Sequence, residues 1–576
     1  MAETLISPGV LARENDQSLV TAQPQTVGAA IIGPTVKGPV EKPIYVSSFG
    51  SFQAIFGGAL ESGSTDYTYL TSIAANNYFQ QGGESLLVTR VTSGSFTSAT
   101  SSLIETGSGG PTSGLSPFVL ETISEGEIMN TGDTEIARGA LATGSADNVR
   151  WEIASVNTSS GVFSLLVRRG NDNNNQKVIL ESYNNISLDP FSSNYISRAI
   201  GDITSNVVVA GDGSGTYLQE SGSYPNISNY VRVKQVNFNT PHFFNNDGSA
   251  KDEFTGSLPA VGSGSFGDAV GSNLNATEAN NFYENISTQT QGLIGTDYTN
   301  AIQLLANQDD YQYNVISTPG LTLTDNADSV NLVKNNTISR GDAIYVMDLV
   351  PYNTAIGTVT TAASGVDSSY SATYWPWLQT VDPSTGLLVY VPASTMIPGV
   401  YAFTDASSDP WFAPAGITRG GLGSVVRAER KLTSANRDTL YEANVNPIAT
   451  FPQQGVVVFG QKTLQKAASA LDRVNVRRLL ISLKGYISQI ADNLVFEQNT
   501  IATRQNFLTQ VNPYLESVQQ RQGLYAFKVV MDETNNTPDV IDRNELIGQI
   551  FLQPTKTAEF IILDFNVLPT GATFPA

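Results

Sequence analysis

The run Val27-Gly-Ala-Ala-Ile-Ile-Gly33, closed by Pro34, decides the architecture of this chain. It has no charge and no polar alternation, so it reads as a strand buried on both faces and stopped by Gly33-Pro34. Ile44-Tyr-Val-Ser-Ser48 reads as a second short strand. Tyr67, Leu70, Ile73, Ala74, Asn77 and Tyr78 then recur at helical spacing, and Gly82-Gly83 ends that helix. Leu86-Leu-Val-Thr-Arg-Val91 follows as another strand. Strand, helix, strand is the unit of an α/β layer.

Outward from that unit the character changes. Residues 93–285 are rich in Ser, Gly, Thr and Asn, with short alternating runs such as Val162-Phe-Ser-Leu-Leu-Val-Arg168 and Tyr230-Val-Arg-Val-Lys-Gln-Val236. They predict one or two all-β modules inserted into the α/β part. Helix and strand patterns return with Ala301–Ala306, Tyr313-Asn-Val-Ile-Ser317 and Asp342-Ala-Ile-Tyr-Val-Met-Asp348. Farther on, Val476, Leu479, Leu480, Leu483, Ile487, Ile490, Ala491 and Leu494 trace an apolar stripe along one long helix. A second helix is expected from Thr500 to about Arg521. Strand-like runs follow at Leu524–Val530, Leu546–Leu552 and Ala558–Val567.

Composition removes several classes of function. The 576 residues carry 31 basic and 52 acidic side chains, a net charge of −21, with 40% hydrophobic and 14% charged residues. That composition buries cores and is not that of a disordered chain. It lacks the basic footprint of a free nucleic-acid binder. With no cysteine and only His242, disulfides, thiolate zinc sites, Cys–His nucleophiles and multi-His metal centres are excluded. The start, Met1-Ala-Glu-Thr-Leu-Ile-Ser-Pro-Gly9, has no basic segment followed by an apolar one, and no apolar run approaches a bilayer span. A soluble product made in the cytoplasm is expected. The charge is also uneven. Residues 411–576 hold 16 basic and 14 acidic side chains, against 15 and 38 in the rest. Either the acidic part meets solvent and the near-neutral part meets packed protein, or surface composition has drifted.

No segment makes a convincing active site. Gly455-Val-Val-Val-Phe-Gly-Gln-Lys-Thr463 misses a phosphate loop by one residue, and Val456–Phe459 reads as a strand rather than a curled loop of exposed N–H groups. Gly420-Gly-Leu-Gly423 and Gly211-Asp-Gly-Ser-Gly215 read as turns. His242, beside Pro241 and Phe243-Phe244, reads as a loop or core histidine, and Asp309-Asp310 and Asp532-Glu533 as solvated turns. Tyr374-Trp-Pro-Trp377 is a packing element or a sugar-stacking platform, with packing favoured. The Asn226-Ile-Ser228 triplet implies no glycan without a secretory signal. No enzyme activity, cofactor or metal is therefore expected.

The two ends carry the sharper expectation. Residues 1–23 read as an extended arm, and 568–576 are too rich in Pro and Gly for regular structure alone. An extended end can add a strand to a sheet edge on another copy. Each main-chain bond nets roughly 0.5–1.5 kcal/mol, while ordering a residue costs roughly 1–2 kcal/mol. Burial of Leu5, Ile6, Val10 and Leu11 at one end, and of Phe560, Ile562 and Phe565 at the other, must supply the difference. The alternative is that both ends simply fray.

Several motifs resemble contractile tail sheath proteins of myovirus-type bacteriophages. They are Ser7-Pro-Gly-Val10, Ile32-Gly-Pro-Thr-Val-Lys-Gly-Pro39, Phe56-Gly-Gly58, Gly82-Gly83 through Thr89-Arg-Val91, Arg340-Gly-Asp-Ala343, Tyr374–Trp377 and Asp409-Pro-Trp-Phe-Ala-Pro-Ala-Gly416. The most specific are Val445-Asn-Pro-Ile448, Gly460-Gln-Lys-Thr463, Asp472-Arg-Val-Asn-Val-Arg-Arg478, Phe496-Glu-Gln-Asn499, Ile541-Asp542 and Ala558-Glu-Phe-Ile561. The resemblance covers about residues 1–92 and 290–576, and it departs at Gln498, where the family commonly has proline.

The resemblance implies an α+β / α/β multidomain chain with inner α/β sheath domains, outer all-β insertions and extended arms. In this reading 1–23 is an N-terminal arm and 24–92 with 290–410 a middle domain. Residues 93–289 are the outer insertion, and 411–576 an inner C-terminal domain with its own arm. It further implies a virion subunit, assembled in the host cytoplasm, that forms six-fold rings stacked helically around a tail tube. Its partners would be other copies, the tube protein, and baseplate and terminator proteins, with no direct nucleic acid and no membrane insertion. Arg477 and Arg478 are candidates for tube or neighbour contacts, with a helix-surface or buried intrachain pair as the alternative. The sheath of a tailocin or extracellular injection system shares this plan. A carbohydrate-binding surface protein or glycosidase is the reading from a different class.

Overall fold

The computed structural model describes residues 28–559 except 63–64, 109, 111–113, 133–134, 212–214 and 272–288. The arm residues Leu5, Ile6, Val10, Leu11, Phe560, Ile562 and Phe565, and the last expected strand beyond Glu559, lie outside the described residues.

An eight-stranded sheet organises the chain. Its strands are β1 (Ala29–Gly33), β2 (Ile44–Val46), β3 (Leu86–Arg90), β4 (Val315–Thr322), β5 (Ile344–Asp348), β6 (Ser371–Trp375), β7 (Asn446–Phe451) and β8 (Gly455–Val458), in the order β2-β3-β1-β4-β5-β6-β7-β8. The six from β3 to β7 run parallel, and β2 and β8 close the edges antiparallel. The period of two explains why these strands read as unbroken apolar runs. Ala29 and Ile31 of β1, with Leu86 and Val88 of β3, pack into one core, whereas Ala30, Ile32 and Leu87 pack into the other.

Helices cover both faces: α1 (Leu70–Gln80) and α3 (Ile397–Ser407) on the first, α2 (Ala327–Arg340) and α4 (Ser434–Glu442) on the second. One expectation needs correcting. Tyr67 is not helical but lies in a short strand, Thr65–Tyr67, and α1 begins after Tyr69, whose backbone is extended. Its helical spacing to Leu70 is coincidental, because its burial comes from that hairpin. Gly33 must lack a Cβ, since the Thr71 hydroxyl of α1 sits 2.3 Å from where one would stand.

The Arg340-Gly-Asp motif ends α2 for a structural reason. Gly341 adopts the left-handed cap (φ 69°). Arg340 folds back to donate to the Leu305, Asn307 and Tyr311 carbonyls and to Asp342.

The long connection from β3 to β4 holds a β-rich module around a single apolar core. Two four-stranded antiparallel sheets build it. One runs Ile179–Ser187, Val162–Arg169, Val149–Asn157, Gly262–Gly264, and the other Val231–Val236, Phe118–Glu125, Ser98–Ser101, Phe266–Gly267. Phe118 of one stacks on Phe163 of the other at 5.5 Å. The module is clamped to the central sheet by polar groups. Glu125 accepts from Val40 N (2.8 Å) and Lys42 Nζ (3.0 Å), Asp147 pairs with Lys37 (3.3 Å), and buried Arg90 donates to the Gly38 and Glu125 carbonyls.

At the C-terminal end of β5, Asp348 is fully enclosed. Burial pushes its carboxyl up to about 7, against bonds from Ser394 Oγ (2.5 Å), Ser394 N (3.2 Å) and the Gly320 backbone. Between about pH 4 and 7 the folded chain keeps a proton that the unfolded chain releases, so this group's stabilisation is full at low pH and lost as pH rises through 7. The shift corresponds to up to roughly 4 kcal/mol. We expect the melting temperature of D348N, relative to the parent, to increase from pH 5 to pH 8; a pH-independent difference would contradict the assignment.

Candidate assembly surface

The expected boundary at 411 falls inside the central unit, to which α4, β7 and β8 belong; residues 474–559 build a second unit on it, with Trp411 reaching into the second core. Helix α5 (Val474–Asp492) carries two apolar stripes, and this is why its sequence pattern is so strong. Val474 and Ile481 face the central core, whereas Leu479, Leu483 and Ile490 face α6 (Ile501–Gln520) through its Phe507, Val511, Leu515 and Val518. Thr500 caps α6 by accepting from Thr503 N, so Gln498, in place of the family's proline, leaves an ordinary helix–turn–helix. The Asp409-Pro-Trp segment binds the units together. Trp411 donates through Nε1 to the Arg521 carbonyl (2.9 Å), and Asp409 pairs with Arg521 (2.7 Å).

After α6 the chain forms a hairpin, β9 (Leu524–Val530) against β10 (Gln549–Pro554). Phe527, Val529, Ile550 and Leu552 pack toward α6, whereas Tyr525 and Phe551 are exposed. Among the described residues neither β9 nor β10 pairs with a second strand, although Gln519 Nε2 and Asn535 Nδ2 donate to the Tyr525 and Val530 carbonyls of β9. A lone two-stranded ribbon is marginal in water.

The other specific motifs lie at the end of the central sheet where the parallel strands begin. Asn446 accepts from Lys462 N (2.6 Å) and donates to the Thr373 and Lys462 carbonyls, stitching β6, β7 and the Gly460–Thr463 loop. Val456 to Val458 are strand, and Lys462 Nζ points to the Tyr441 carbonyl (2.7 Å), so no phosphate loop forms.

Arg477 and Arg478 are both engaged within the chain. Arg477 donates to the Ser369 carbonyl (3.2 Å) and Oγ and lies 3.9 Å over the Tyr370 ring. Arg478 bridges both Asp405 oxygens (2.7 and 2.5 Å) beneath Tyr401. Sequence reasoning missed Asp405 and Tyr401 because their partner Arg478 lies more than 70 residues downstream, with no spacing signal to join them.

The remaining candidates hold no site. His242 is exposed and stacks on Phe191 at 4.5 Å. Trp375 and Trp377 are buried, with Trp377 Nε1 donating to the Val350 carbonyl (3.1 Å). Doubly wound sheets take ligands where strand order reverses, here beyond β1 and β4. That crevice is filled by Gln291, which accepts from Leu70 N (2.8 Å) and donates to the Pro319 carbonyl (3.2 Å). Among the described residues no cluster of three or more His, Asp or Glu is placed to hold a metal, and no helix is long and apolar enough to cross a membrane.

Two domain families match. Residues 292–464 fit the phage tail sheath protein central domain, and residues 466–568 the phage tail sheath C-terminal domain. Both matches are to phage tail sheath domains, and together they take in just under half of the chain. The chain is 44% identical over 185 residues to the tail sheath protein of Vibrio phage KVP40, covering 32% of it and 28% of the relative. To that of Enterobacteria phage T4 it is 36% identical over 229 residues, covering 40% and 35%. The matched stretches thus span about a third of the curated relatives' lengths. A sheath tail protein from Listeria innocua superposes with a TM-score of 0.50 at 10% identity, over 92% of this chain and 95% of that one, a likeness of fold. The contracted helical sheath of the anti-feeding prophage gives 0.47 at 15% identity, over 98% and 99%. The relatives are structural tail components.

Replacing Arg478 by methionine orphans Asp405, which keeps about 30% of its side chain exposed. Water screens that charge, so we expect R478M to cost about 2–3 kcal/mol, at the lower end for a broken partly buried pair. R478M/D405L is expected to recover most of the loss, read as the shift in urea midpoint.

Proposed function

We propose that this sheath subunit assembles as six-fold rings stacked helically around a tail tube, and that the stack shortens and widens to drive the tube through the host envelope. In this reading residues 1–23 and the segment after Glu559 are arms that add strands to other copies, 93–289 faces outward, and 411–576 lies innermost. The near-neutral charge of 411–576 suits contact with tube and neighbours, and the acidic remainder suits solvent. The subunit would be built into the virion after assembly in the host cytoplasm. Arg477 and Arg478 are proposed to contribute to tube or neighbour contacts in addition to their bonds within the chain.

The observation that carries the proposal is the β9–β10 hairpin, which pairs with no further strand among the described residues. Strand addition there satisfies edge groups and covers Tyr525 and Phe551. The places where the two arms leave support it. Asn314 N donates to the Gly28 carbonyl, Ile344 N to Asn314, Tyr345 N to Tyr370, Leu464 N to Ser371 and Lys462 N to Asn446, a continuous path across one end of the sheet. Four inter-strand gaps of roughly 4.8 Å separate the roots by about 20 Å. Gly28 and Glu559, from which the two arms would start, therefore sit at the same end of the sheet.

Energy would come from the lattice. Extended rings are metastable in this mechanism, and rigid subunits rotate while the arm linkers absorb the dihedral change. Deleting residues 1–15 or 560–576 is expected to leave folded monomers that build no long sheaths in negative-stain micrographs; normal sheaths from a doubly truncated chain would refute the proposal. Assembled tails are expected to contract without ATP, scored by tail length after triggering in nucleotide-free buffer.

A further inference from the structure

Glu559 is the last described residue, and its surroundings differ from those of the hairpin the chain has just left. Thr555 N still bonds to the Gly523 carbonyl (3.1 Å) beside β10. Four residues later the chain is pinned to other elements. Arg473, at the start of α5, donates through Nε to Oε1 (2.7 Å) and through Nη2 to Oε2 (3.0 Å) of Glu559. Tyr441 of α4 donates its hydroxyl to Oε2 (2.7 Å). Gln461, itself buried, donates Nε2 to Thr557 Oγ1 (2.7 Å) and to Glu559 Oε1 (3.2 Å). The carboxylate thus receives four bonds, about its full acceptor capacity, from three separate places in the fold and none from β9 or β10. Burial pushes the Glu559 carboxyl up, but the bonds from Arg473, Tyr441 and Gln461 outweigh it and hold the group below the ordinary glutamate range.

We infer that Glu559 is a positioning residue, whose clamp on Arg473, Tyr441 and Gln461 fixes where the C-terminal segment leaves its subunit and carries a pull on that segment into α5 and the central sheet. This rests on the proposed transfer of the segment to a second copy. The mechanical argument is one of loading geometry. Without the clamp, tension on the segment would reach Pro554, which pairs with Leu524 at the open end of the hairpin. It would peel β10 from β9 one pair at a time. With the clamp, four charge-assisted or polar bonds share the load before any reaches the hairpin. The clamp also keeps the segment's exit beside the start of α5.

The test uses the full chain carrying E559A, E559R, R473E, E559R/R473E, Y441F or a deletion of 560–576. Monomer melting temperature and the length of assembled sheaths in negative stain are the two readouts. E559A is expected to lower the monomer melting temperature by a few degrees, as loss of a partly buried pair does, and to shorten sheaths roughly tenfold at temperatures where the monomer stays folded. E559R and R473E should behave alike, and the double swap should restore much of the length; since a purely structural pair is rescued too, the lengths are compared at a temperature where every variant's monomer is folded, and there a purely structural pair would leave them equal. Y441F removes one donor and keeps the pair, so an intermediate length is expected, and it serves if E559A fails to fold. Parental sheath length from E559A or Y441F, with none from the 560–576 deletion, would overturn the clamp and leave the arm standing. Normal sheaths from the deletion itself would overturn the arm reading.

Discussion

Six parallel strands whose side chains are apolar on both faces cannot face water on either side. That constraint shapes the rest of the molecule. It forces helices onto both faces, and it leaves the sheet's two ends as the only places where polar groups gather. At one end the β-rich module is held through Glu125 and Asp147. At the other, Asn446, Arg473, Arg477 and Lys462 tie strands, loops and α5 into one hydrogen-bonded rim. The chemistry that looks like a site in sequence is mostly this rim.

The C-terminal unit is attached through that rim and is less complete than the sheet it sits on. Its helices bury a proper core, but its hairpin has two strands and no cover on one face. In the proposed assembly, the groups that this hairpin exposes are the ones another copy would satisfy.

Much of the architecture was legible in the residues. Ala29–Gly33, Leu86–Arg90 and Ile344–Asp348 read as buried strands because both faces are covered, and α5 and α6 read clearly because each buries a long stripe. Tyr67 was misread because a buried hairpin tyrosine happens to stand three residues before a helix. Asp405, Tyr401 and Gln291 were invisible because their partners are distant in sequence and carry no spacing signal. Glu559 stood inside a recognised motif, Ala558-Glu-Phe-Ile561, but its three partners come from elements more than 80 residues upstream. Polar convergence of that kind is a property of topology, not of pattern.

The β-rich module is fixed to the central sheet at several points. Glu125 and Asp147 grip the loop 37–42 on several atoms, and the Arg90 guanidinium, wholly enclosed, bonds to both sides of the joint. Such a joint is a weld rather than a hinge. In the proposed assembly, whatever angle the central sheet turns through, the module turns by the same angle, and an outward-facing module would act as a lever arm that magnifies the rotation of its base.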